Sequence, residues 1–108
     1  MDIDCILTAI SKLVKSLNAA SEVERLQSYS AIQTLRNQLL AYVAEKNVDG
    51  DSIGKNNAKI YFTELDSHLR PMVGLEDTSH PYEQQELWAR QCIDKLRSVH
   101  CFDIPGYE

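Results

Sequence analysis

Apolar residues recur at helical spacing from the start of the chain. Ile3, Ile6, Leu7, Ile10, Leu13, Val14 and Leu17 follow one another at gaps of three, one, three, three, one and three. A helix turning once every 3.6 residues or about that puts all of them on one stripe, whereas a strand would scatter them over both faces. Such a stripe is not stable facing water, so other elements have to cover it. Asp2 or Asp4 can accept from the free N–H groups at its start, and Ser11, Lys12, Lys15 and Ser16 fall on the opposite face. The spacing predicts a helix over about 3–18.

Ser21 and Glu24 then form an S-x-x-E capping box, which opens a second helix at Glu22. Its stripe reads Val23, Leu26, Tyr29, Ile32, Leu35, Leu39, Tyr42 and Val43, and it should end near Asn47. A helix over 22–47 outruns the first, so it overhangs, bends, or breaks around Ser28, Tyr29 and Ser30. Residues 47–55 (Asn-Val-Asp-Gly-Asp-Ser-Ile-Gly-Lys) carry turn chemistry. A third helix over 56–70 presents Ala58, Tyr61, Phe62, Leu65, Leu69 and Met72, with Pro71 expected to stop it. A fourth, over 81–100, presents Trp88, Ala89, Cys92, Ile93, Leu96 and Val99. Ser79 or His80 would cap it and Pro81 would sit in its first turn. The tail from Phe102 reads as irregular, with Phe102, Ile104 and Tyr107 able to fold back.

No run of β-branched residues alternates with polar ones, so no strand is expected. Four amphipathic helices in 108 residues predict an all-α antiparallel four-helix bundle forming one domain, 1–108.

The chain holds 11 basic and 16 acidic residues, a net charge of −5. The excess is localised. Residues 60–89 contain Glu64, Asp66, Glu76, Asp77, Glu83 and Glu86 against Arg70 alone, while the flanking stretches balance. Free nucleic acid is an unsuitable partner for such a surface. The acidic segment is either a solvated loop or a docking face for a basic protein. Three cysteines, Cys5, Cys92 and Cys101, with no C-x-x-C pair and an acidic start in place of a signal peptide, predict free thiols and a cytoplasmic setting. No stretch has the length and apolarity of a membrane span.

Several residue groups approach the patterns of known chemistries, and spacing decides each. Asp49, Asp51 and Gly54 match positions 1, 3 and 6 of a calcium loop, but Ile53 and Ile60 stand where ligands are required. In architecture and size the chain resembles phosphotransfer bundles. Those place a Lys three positions after an exposed His, whereas Pro71 follows His68 at that distance. All-helical toxin nucleases separate their Arg and His by four to six residues. Two residues lie between Arg97 and His100, and nine between Arg90 and His100. Cys92, His100 and Cys101 lie too far apart, or diverge too much, to share a zinc ion, and Glu83 and Glu86 lack the E-x-x-H companion of a di-iron site. No phosphate loop or nucleophile motif is present. The expectation is therefore a non-catalytic module without metal or cofactor: an inhibitor, immunity protein, antitoxin-like or adaptor protein. It would bind a basic protein through Glu76, Asp77, Glu83 and Glu86. The alternative is a homo-oligomer paired through the long second helix, with a structural or small-ligand role.

Overall fold

The computed structural model describes residues 2–45, 52–99 and 102, with the backbone alone for 52–55. It contains α1 (Ile3–Ser16), closed by a 3-10 turn at Leu17–Ala19, then α2 (Glu22–Glu45), α3 (Ser52–Met72) and α4 (Tyr82–Arg97). No strand occurs among the described residues.

The helix starts form as the side chains dictate. Asp2 Oδ1 accepts from the Cys5 backbone N–H at 3.0 Å and caps α1. The capping box of α2 is complete: Ser21 Oγ accepts from Glu24 N at 3.2 Å, and Glu24 Oε1 accepts from Ser21 N at 3.2 Å. Both caps depend on an ionised carboxylate. The hydrogen bonds from Cys5 hold the Asp2 carboxyl below its usual 3.8, and those from Ser21 hold Glu24 below its usual 4.5. A group whose folded-state value is lowered contributes fully above its unfolded value, and that contribution disappears as pH falls through the folded one. The first turns of α1 and α2 are therefore expected to lose protection as the pH falls below the ordinary carboxylate values and through the lowered ones. Amide exchange at Cys5 and Ser21, whose N–H groups donate to these carboxylates, measures this once corrected for intrinsic rates. Undiminished protection at the acid end would show that the caps do not hold these turns.

Each helix packs on its neighbours in sequence, and α4 returns to α1, so the helices form a closed square. Side chains fix the antiparallel sense. Arg25, at the start of α2, reaches the carbonyls of Leu17 and Met72 at the ends of the first and third helical segments. At the opposite end, Arg97 of α4 pairs with Asp4 of α1 and donates to Thr8 Oγ1 at 3.1 Å. Lys95 of α4 lies 3.7 Å from Glu64 of α3. The bundle measures 43 × 24 × 23 Å. Its core is built from Leu7, Ile10, Val14 and Leu17, from Ile32, Leu39 and Val43, from Phe62, Leu65, Leu69 and Met72, and from Ala89, Cys92, Ile93 and Leu96. Phe102 folds back and is buried with them. Ile104 and Tyr107 lie outside the described residues.

The structure corrects several sequence expectations. α2 is continuous through Ser28, Tyr29 and Ser30. α3 starts at Ser52, so 52–55 are helical rather than loop. It also runs through Pro71 to Met72. A proline one residue from the end gives up only the bond to the carbonyl of Ser67, an exposed position where water replaces it. α4 ends at Arg97, and Pro81 is its N-cap rather than part of its first turn. Neither Ser79 nor His80 caps it; the Pro81 carbonyl accepts from Gln84 N and Gln85 N. Val23 and Leu26 leave the core, being 65% and 44% exposed. Asp49 and Asp51 of the rejected calcium loop lie outside the described residues.

Candidate functional site

The acidic residues gather at the end of the bundle where α2 and α4 begin and α3 stops. α3 ends in a Schellman turn: Leu75 N donates to Arg70 O at 2.9 Å and Gly74 N to Pro71 O at 3.3 Å. The turn requires a left-handed residue, and Gly74 has φ +83°. This motif usually folds the residue after the glycine onto the last helical turn. Here Leu75 stays 51% exposed, held by its backbone hydrogen bond to Arg70 yet only partly covered.

The carboxylates of this end differ in how they are held. Glu76 accepts from Arg70 Nη1 at 3.0 Å, which neutralises it within the turn. Asp77 and Glu83 are exposed, Glu86 is half-buried, and none of the three forms an ion pair among the described residues. Glu83 lies in the first turn of α4, whose N-cap supplies no side-chain acceptor, so its charge complements the free amides there. The other two acids of the segment belong to helix packing. Glu64 faces Lys95, and Asp66 accepts from Tyr29 Oη at 2.6 Å and Gln33 Nε2 at 2.9 Å. Burial, and then the bond to Asp66, push the Tyr29 hydroxyl above its usual range, so it remains the donor. The acidic charge of residues 60–89 thus resolves into three packed carboxylates and three uncompensated ones at the bundle end.

Arg25 builds the floor of that end. Its Nε donates to Leu17 O at 2.9 Å, its Nη1 donates to Met72 O at 3.2 Å, and its guanidinium carbon lies 5.1 Å from the centre of the Tyr82 ring. One cation thereby serves the carbonyl ends of two helices, where the dipoles favour positive charge. Val23 and Leu26, on either side of Arg25 in α2, add exposed apolar surface to the same end.

The remaining sequence candidates are placed as follows. Cys92 is buried, and desolvation followed by the charge of Glu64 pushes its thiol up to about 11, so it stays protonated and unreactive at neutral pH. His100 and Cys101 lie outside the described residues. Among the described residues no group of three or more His, Cys, Asp or Glu side chains converges as a metal site, and no helix is long and apolar enough to cross a membrane. His68 is half-buried, with Nδ1 3.2 Å from Gln85 Oε1.

One cluster was not anticipated. The rings of His68 and His80 both pack on Trp88, with centroids 5.3 Å and 4.9 Å from it. The signal was available: reflecting α3 onto α4 about the middle of their connection, near residue 77, puts His68 opposite about residue 86.

Comparison of the chain with protein-family models, with curated proteins and with solved structures found no match.

Proposed function

We propose that the chain is a small non-catalytic protein-binding module, of the inhibitor, immunity, antitoxin-like or adaptor kind, that docks a basic partner protein through the end bearing Leu75. The observation that carries this reading is Leu75 itself. A large apolar side chain is kept half-open by a hydrogen-bonded turn, and Asp77, Glu83 and Glu86, in the connection and the first two turns of α4, have no ion-pair partner among the described residues. A rigid apolar anchor loses little entropy on docking, and uncompensated charge nearby steers an oppositely charged surface toward it. Self-association through α2 has less to recommend it. Beyond Leu26 the exposed positions of that helix include Gln27, Ser30, Thr34, Asn37 and Gln38, which offer little apolar area.

The test begins with affinity capture from the native host and continues with association kinetics of the captured protein. Combining Asp77→Asn and Glu86→Gln, which leaves the Arg70–Glu76 pair in place, is expected to slow association about tenfold or more at low salt, with little change in the melting transition. Leu75→Ser should act on dissociation instead. Association that is indifferent both to these changes and to salt would eliminate this surface.

A further inference from the structure

The histidine pair on Trp88 is connected to the turn that follows α3. His68 Nδ1 meets Gln85 Oε1 at 3.2 Å, Gln85 Nε2 donates to Thr78 Oγ1 at 3.0 Å, and the same Thr78 oxygen accepts from His80 N at 3.1 Å. Gln85 is only 4% exposed and has no room to leave its bonds unmade. Its amide has one feature that matters here: the oxygen and the NH2 are nearly identical in shape and opposite in hydrogen-bonding sense.

That property makes the chain of bonds reversible. With Gln85 Oε1 toward His68, Nδ1 must carry a hydrogen and donate, and Thr78 accepts from Gln85 Nε2. With the amide turned over, Nε2 donates to an unprotonated Nδ1, and the Thr78 hydroxyl must donate to Gln85 Oε1. Neutral His68 can satisfy either arrangement, depending on its tautomer. Protonated His68 carries hydrogens on both ring nitrogens and satisfies only the first. Protonation also makes the bond to Gln85 charge-assisted and puts a cation beside the indole, 5.3 Å between ring centres.

We propose that His68, Gln85 and Thr78 form a proton-responsive switch in which the Gln85 amide turns over, so that uptake of a proton at His68 Nδ1 reverses the direction of the hydrogen bonds. In the acid state the Thr78 hydroxyl accepts from both Gln85 and His80, and its own hydrogen is free to donate outward from an exposed turn. In the neutral state that hydrogen is directed inward to Gln85. The switch stands independently of the docking surface.

The charged groups around it are largely paired with one another. On α3, Glu64, one turn before His68, faces Lys95 of α4, and Asp66 and Arg70 face each other at 3.7 Å. In the connection Glu76 is held by Arg70. Asp77 and Glu83 flank His80 along the chain, three residues before it and three after, and His80 shares the Trp88 ring with His68. His80 therefore lies beside the same indole but makes no ring bond to Gln85, which makes it the internal control.

The test is an NMR titration of the full chain between about pH 8 and about pH 5, spanning the ordinary histidine range. The side-chain amide signals of Gln85 and the backbone amide of His80 are expected to shift with the midpoint of the His68 ring. His68→Gln should abolish the Gln85 shift, and His80→Gln should preserve it. Thr78→Val should preserve the Gln85 response and remove that of the residue 80 amide. Trp88, the one tryptophan of the chain, provides a fluorescence check that each variant keeps its fold. A Gln85 amide that stays fixed while the His68 ring titrates would overturn the switch, as would a Gln85 shift that follows His80 alone.

Discussion

Replacing Leu65 with Asp is expected to abolish the cooperative unfolding transition at ordinary temperatures. Leu65 is 2% exposed, inside the layer that also contains Phe62 and Leu69. The substitution removes an apolar side chain whose loss alone costs about 2–5 kcal/mol, and it adds a carboxylate with no partner. Together these approach the whole stability of a small domain, about 5–15 kcal/mol. The companion change Leu35→Asp should be much milder, about 1–2 kcal/mol, because Leu35 is half-buried and its replacement can turn toward water. Circular dichroism melts of the two variants separate these cases. Equal and severe losses would show that α2 presents a different face from the one described, and equal and small losses would discredit the core itself.

That contrast marks where the sequence was legible. On α1 and α3 the apolar gaps mix threes, fours and ones, which holds a stripe in place on a helix of about 3.6 residues per turn. The structure buries Ile3, Leu7, Ile10, Val14 and Leu17 from the first, and Ala58, Phe62, Leu65, Leu69 and Met72 from the third. On α2 the apolar residues from Val23 to Leu35 are spaced strictly by three. At about 100° per residue such a row drifts around the helix, and Val23 ends about 180° from Ile32. The inward position at the start of α2 goes to Arg25, which has two helix-end carbonyls to satisfy. A polar residue won a core-facing position because helix-end carbonyls favour a cationic donor, and a stripe of hydrophobicity alone does not show that.

The same reason limited the reading of the acidic segment. Its sequence shows six carboxylates and one arginine, but half of that charge is answered across helix interfaces or within the turn, by Lys95, by Tyr29 and Gln33, and by Arg70. Pairing of Glu64 with a residue thirty-one positions away depends on the antiparallel register of α3 and α4, which local spacing does not contain. Asp77 and Glu83 were readable as exposed charges because a polar connection and a helix start leave them no neighbour to meet. The Schellman turn was readable only in part. Gly74 follows the last apolar residues of α3, yet Pro71 argued for an earlier stop, and the glycine decided where the chain turned.

Arg25→Ala is expected to be the most destabilising substitution of any half-exposed residue in the bundle, at about 2–3 kcal/mol, from the loss of two charged-donor hydrogen bonds and a cation–π contact. The effect exceeds that of an ordinary surface arginine because the groups left behind are the terminal carbonyls of Leu17 and Met72, both residues buried. Arg25→Lys should recover less than half of the loss. A single ammonium reaches one carbonyl or the Tyr82 ring, but lacks the planar fork that serves both carbonyls from above that ring. Tyr82→Phe is the control. The Tyr82 hydroxyl is buried without a hydrogen-bond partner among the described residues, so removing it should leave stability unchanged or raise it, while the ring remains under Arg25. Chemical denaturation of the three variants distinguishes a clamp from simple packing. If lysine restores full stability, charge alone holds the end together and the two carbonyl bonds contribute nothing. If Tyr82→Phe costs as much as Arg25→Ala, the end is held by the tyrosine hydroxyl through a contact other than those described. The clamp predicts a third pattern, in which only the geometry of the guanidinium matters, and that geometry fixes where α2, α3 and α4 meet beneath Leu75.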